Sequence, residues 1–125
     1  MACAQAVFYT QRLPVEAAAE TPFHGAEEAW FWVMRWYQAS QDGARFRAGR
    51  SDHPRPCEPV DVLRAVDRLY RNRRLQRDHL AVLCHYGRKD TAPSPRINGE
   101  YRASVLWAEA MERLDAALRK KGIVA

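Results

Sequence analysis

Five arginines fall within ten residues: Arg68, Arg71, Arg73, Arg74 and Arg77. A guanidinium is planar, permanently charged and forked, so it grips phosphate or carboxylate through two parallel hydrogen bonds, where an ammonium is only a point charge. Arg64 lies one helical turn before them, and Arg45, Arg47 and Arg50 are spaced through the preceding Gly- and Pro-containing stretch. A set like this can hold a polyanion. Its contacts to phosphate would supply affinity and salt dependence, not choice of base sequence. The competing reading is a solvated cationic surface in an arginine-rich chain, in which only Lys89, Lys120 and Lys121 of the 20 basic residues are lysines.

Other chemistry finds weaker footing. His53, Cys57, His79, Cys84 and His85 include ligand types that suit zinc, and His53 and Cys57 have usable spacing. There is no Cys-x-x-Cys pair, however, and His79 and Cys84 are five apart, so they do not share a helix face. Cys84 and His85 are adjacent and diverge on a helix, which argues against a thiol–imidazole pair. No Gly-x-Ser-x-Gly elbow or phosphate-cradling glycine loop is present. Glu27 with Glu28, and Glu109 with Glu112, read as dipole-favoured or solvated carboxylates. The expectation is a protein that is not an enzyme, with no metal and no cofactor.

A second candidate surface is aromatic. Residues 30–37 read Trp-Phe-Trp-Val-Met-Arg-Trp-Tyr, apolar on nearly every side of a helix. Such a helix is either buried on several faces or shows one to a partner. In a chain of 125 residues, internal cover for every face is scarce, which makes Trp30, Trp32, Trp36 and Tyr37 candidates for a protein partner or a homodimer contact.

The bulk numbers bound these ideas. The length fits one domain, and an apolar fraction of 47% is enough for a packed core. The net charge of +5 and a pI near 9.4 allow an acidic partner without demanding one. The charge is uneven. Residues 43–77 carry ten arginines against four acids, whereas residues 1–42 carry two basic residues against five acids. Cys3, Cys57 and Cys84 are an odd set without paired spacing, which suits a reducing, cytoplasmic compartment. No apolar run is long enough to span a membrane, and the N-terminus does not read as a secretory leader.

The elements that must position the arginines are helical. Residues 1–24, broken by Pro14 and Pro22, read as an irregular arm, and 25–125 as one helical domain. A first helix is expected over 26–41, with Glu27 and Glu28 in its first turn and Gly43 as its stop. Residues 43–59 form a basic Pro/Gly-containing loop. Pro59 opens a second helix with Val62, Leu63, Val66, Leu69 and Tyr70 on one face, ending near Asn72 or Arg73. A third, shorter helix is expected over 77–86, with Leu80, Leu83 and Cys84 inward and Gly87 as a left-handed cap. The last helix is expected over 100–121 on Ala103, Trp107, Ala110, Met111, Leu114 and Leu118. Its end, Gly122 then Ile123, reads as a Schellman motif with Ile123 folded back on Leu118.

The second helix, the turn at 72–76 and the third helix have the rhythm of a helix–turn–helix. The run Leu69-Tyr70-Arg71-x-Arg73-Arg74-Leu75-x-x-x-His79-Leu80-x-Val82-Leu83-x-x-Tyr86-Gly87 resembles the start of the sigma-region-4-like fold of small phage and phage-derived transcription regulators. The long last helix fits the final element of that group. The chain also resembles small uncharacterised alphaproteobacterial proteins, through Glu28–Trp32, Pro56–Pro59 and Lys121–Val124. It departs from the regulators at two places. Gln76 stands where Ser or Thr usually caps the helix. Pro93 and Pro95 interrupt the segment that would carry a base-reading helix. The resemblance therefore implies a scaffold that touches phosphates, or binds RNA polymerase, without reading bases.

These observations lead to an all-α domain, a compact bundle of about four helices with a helix–turn–helix-like middle. The expected role is that of a transcription-associated regulator engaging DNA backbone or RNA polymerase through Arg64, Arg68, Arg71, Arg73, Arg74 and Arg77, with Arg45, Arg47 and Arg50 beside them. The alternative is a non-enzymatic adaptor or structural subunit docking through the aromatic first helix.

Overall fold

The computed structural model describes residues 20–42 and 54–125. Within them lie four α-helices: α1 (Ala26–Gln41), α2 (Pro59–Arg71), α3 (Arg77–Lys89) and α4 (Tyr101–Lys120). They form an all-α bundle. α1 and α4 form its centre, and each packs on every other helix. α2 and α3 scarcely meet each other, so the corner between them is held from behind by α1 and α4 rather than by its own two arms.

Each helix begins and ends for a local reason. α1 has no capping side chain of its own. Asp115 of α4 accepts from the Ala26 N–H at 3.0 Å, so a distant carboxylate occupies the positive end of the helix. The inward residues Ala26, Ala29, Trp30, Val33 and Met34 recur at three- and four-residue steps. α2 opens on Pro59 with a capping box, in which Asp61 accepts from the Glu58 N–H at 2.8 Å. α4 ends as expected. Gly122 takes φ +77, and the Gly122 and Ile123 N–H groups bond Arg119 and Leu118 carbonyls at 3.1 and 3.0 Å, with Ile123 buried.

α3 corrects the expected boundary and phase. It runs to Lys89, and Asp90 at φ 56, not Gly87, takes the left-handed position. Gly87 lies within the helix because a side chain there has no room. A Cβ at residue 87 would sit 2.7 Å from Met34 Cγ and 2.8 Å from Trp30 Nε1. The absent side chain lets α3 close on α1. The inward set is His79, Leu83, Tyr86 and Gly87, which turns Cys84 to the surface.

The arm boundary also moves. Phe23 is fully buried and pairs in a parallel bridge with Val124, its N–H bonding the Ile123 carbonyl at 2.9 Å. Residues 20–24 therefore belong to the packed domain, and residues 1–19 lie outside the described ones. Arg55 of the basic loop is structural too. It stacks over the Phe23 ring at 4.2 Å and pairs with Glu28 at 3.3 Å, with a side chain 15% exposed. The Glu28 carboxyl is held below its ordinary value, chiefly by the His24 N–H, with Arg55 contributing.

Candidate nucleic-acid interface

The chain leaves α2 through a Schellman motif whose left-handed residue is an arginine. Arg73 takes φ 64, its N–H bonds the Tyr70 carbonyl at 3.0 Å, and the Arg74 N–H bonds Leu69 at 2.8 Å. Leu75, fully buried, anchors the turn in the core. From behind, Arg113 of α4 donates to the Arg74 carbonyl at 3.0 Å. An L-residue in this conformation carries strain of about 1–2 kcal/mol, of which glycine's greater unfolded-state entropy would return ~0.5–1. Arg73→Gly is therefore expected to raise the melting temperature by a few degrees while removing a surface cation. Calorimetry checks this, and a lowered midpoint would contradict it.

α3 starts without the usual Ser or Thr. The Gln76 N–H donates to His79 Nδ1 at 3.0 Å in a capping box where histidine stands in for the common Glu or Gln. Because Nδ1 accepts an N–H, it carries no proton. Nε2 then carries it and donates to Glu109 Oε1 at 2.9 Å. His79 is 4% exposed, so this chain of bonds ties the start of α3 to the middle of α4 from inside. The Glu109 carboxyl is held below its ordinary value, first by the His79 hydrogen bond. A depressed carboxylate contributes stability above its unfolded pKa and loses it as pH falls through the folded value. Melting temperature should therefore fall on acidification through the carboxylate range. Glu109→Gln should flatten that fall, and an unchanged pH profile in the variant would contradict the assignment.

Of the expected arginines, Arg68 and Arg71 lie in the last turn of α2, Arg73 and Arg74 in the turn after it and Arg77 at the start of α3, with Arg64 earlier in α2. Arg64, Arg68, Arg71, Arg73, Arg74 and Arg77 are all exposed. Arg64 pairs with Asp61 at 3.8 Å and Arg71 with Asp67 at 3.0 Å, both across a turn of α2 on the surface. Such exposed pairs hold weakly, at ~0–1 kcal/mol. Arg68, Arg73, Arg74 and Arg77 face no carboxylate within ion-pair distance among the described residues. Arg45, Arg47 and Arg50 lie outside the described residues. Two cations that the sequence did not assign to this corner join it through the packing of α4: Arg113 behind the turn and Lys121 beside Arg68 and Arg74.

The aromatic candidates separate. Trp30 is 3% exposed and donates Nε1–H to the Leu83 carbonyl at 2.9 Å, so it is core and not surface. Trp32 is half-buried against Phe23, with ring centroids 5.0 Å apart. Trp36 is half-buried, and only Tyr37, 47% exposed, is open at the end of α1. Phe31 stacks on Trp107 at 5.6 Å. The faces of the aromatic helix are thus mostly covered, by the other helices and by Phe23.

Among the described residues no three His, Cys, Asp or Glu side chains gather as a metal would need. Burial, with Asp61 and Glu58 adding, pushes the Cys57 thiol up to about 11, which keeps it protonated and unreactive near neutrality. No described helix is long and apolar enough to cross a membrane. No family model, curated protein or solved structure matches the chain, so the four-helix domain and its basic corner are read from their own residues.

Proposed function

We propose that the protein is a transcription-associated regulator whose basic corner engages the backbone phosphates of duplex DNA. The observation that carries the reading is the set Arg68, Arg71, Arg73, Arg74 and Arg77, exposed together on the α2–α3 corner, four of them without a carboxylate partner among the described residues. Part of the charge has a local explanation, since Arg68 and Arg71 lie in the last turn of α2, where the helix dipole favours cations. Arg73, Arg74 and Arg77 have none. Arg73 and Arg74 lie beyond the helix end, and Arg77 is the first residue of α3, where the dipole disfavours a cation. An anion bound there would find a helix N-terminus and several guanidinium forks together.

The transcription context comes from the resemblance to sigma-region-4-like regulators. Pro93 and Pro95 follow α3 in an irregular loop, and this favours backbone contact over base reading. An acidic surface of RNA polymerase is the other counterpart the same cations would suit. Titrating the protein into two labelled duplexes of unrelated sequence at low salt tests the reading by fluorescence anisotropy. Comparable binding to both is expected, and no binding by folded protein would overturn it. A second reading, the adaptor, is favoured by the exposed Tyr37 at the end of α1, beside the half-buried Trp36. It predicts a partner whose binding is lost on Tyr37→Ala and is indifferent to salt.

A further inference from the structure

The C-terminal ends of α2 and α4 lie side by side and enclose a shallow cavity of about 160 Å³. Its floor is apolar, made by Ala65, Leu69 and Ala117, and its rim carries Arg68, Arg74 and Lys121. The Asn72 side chain stands at the edge as a neutral donor and acceptor. We infer that this cavity seats one sugar-phosphate unit, with the phosphoryl oxygens on the three cations and the sugar face against the floor. The inference deepens the proposed corner reading by naming where a phosphate is held and adding Lys121 to the residues that hold it.

Four features support it. No acidic side chain lines the cavity, and none of its three cations pairs with a carboxylate among the described residues. Like charges converging on one opening repel, and an anion placed between them removes that cost. Four of the helix-end carbonyls that would repel an anion are already engaged. Leu69 accepts from the Arg74 and Leu75 N–H groups, Tyr70 from Arg73, Leu118 from Ile123, and Arg119 from Gly122. The strained turn at Arg73 sets Arg74 on the rim, and the end of α4 sets Lys121 opposite, so both walls are fixed by capping motifs. The volume is large against the roughly 10–15 Å³ that one water needs, and the mixed lining distinguishes a sugar phosphate from a bare anion.

The test follows backbone amide NMR shifts of the full chain during titration with deoxyadenosine 5′-monophosphate or inorganic phosphate at matched ionic strength, and duplex binding in parallel. The nucleotide should shift Arg74, Ala117 and Lys121 at lower concentration than inorganic phosphate does. Lys121→Gln should weaken nucleotide binding by up to about fivefold and lower the duplex log–log salt slope by about 0.9. Ala117→Glu, which puts a carboxylate on the floor, should abolish nucleotide binding with an unchanged circular dichroism spectrum. Equal binding of nucleotide and inorganic phosphate, shifts elsewhere, or an indifferent Lys121→Gln would overturn the cavity assignment. The corner reading would then survive if the wild type still binds duplex. The reverse result, nucleotide in the cavity without duplex binding, would sustain the cavity and remove the corner reading.

Discussion

Trp30→Ala is expected to cost the fold about 3–5 kcal/mol, the range for deleting a buried aromatic side chain. The ring is almost wholly enclosed, its Nε1–H is spent on the Leu83 carbonyl, and it presses on the face of α3 where Gly87 has no side chain. Removing it empties the seam between α1 and α3. Domains of this size are stable by only ~5–15 kcal/mol, so the loss is roughly a fifth of the total or more. Urea unfolding would read it as a large drop in midpoint. Tyr37→Ala, at the open end of the same helix, should change the unfolding free energy by less than about 0.5 kcal/mol. If the two variants were equally stable, the placing of Trp30 in the core would be wrong. With Trp30 in the core, a loss of partner binding by Trp30→Ala would report unfolding, which is why the adaptor reading is better tested at Tyr37.

The second large effect is on binding. Replacing Arg71, Arg73 and Arg74 together with Ala removes three cations from the corner and no buried side chain. Each exposed charge contact contributes up to about 1 kcal/mol, so duplex affinity at low salt should fall by as much as roughly a hundredfold if the three act independently. Folding should be nearly unaffected, because Arg71 gives up only a surface pair with Asp67 and the turn keeps its backbone bonds. A triple variant that binds duplex as wild type does would remove the corner from the account.

Much of the fold is legible in the residues themselves. Pro59, the Glu27–Glu28 pair and the Gly122–Ile123 ending mark helix ends through local chemistry, and the observed bounds fall within a residue or two of them. What was not legible depends on neighbours distant in the chain. Gly87 looks like a terminator by type, but it is a contact point for Trp30 and Met34, and so α3 runs two residues past it. Cys84 was expected inward by its apolar character. The inward line through His79, Leu83 and Tyr86 leaves it about one residue out of phase. Phe23 reads as part of an irregular arm because its partner, Val124, lies at the other end of the sequence. At the site, the arginine cluster was visible as composition, but its division was not. Arg55 turned out to be a structural cation over Phe23, and Lys121 a member of the corner, through the packing of α4 against α2. The capping role of His79 rests on the Gln76 N–H, which fixes Nδ1 as the acceptor, but its tie to Glu109 depends on the packing of α4 and was not legible in the sequence.

The central claim is that the α2–α3 corner grips phosphates, and its most direct test is the salt dependence of duplex binding by the wild-type chain. Phosphate contacts release counterions, so the logarithm of the binding constant should fall linearly with the logarithm of salt concentration, at about −0.9 for each phosphate neutralised. Four or five engaged arginines predict a slope near −4, falling to about −1 in the Arg71, Arg73 and Arg74 variant. A wild-type slope near zero, or one the triple substitution leaves unchanged, would contradict the account.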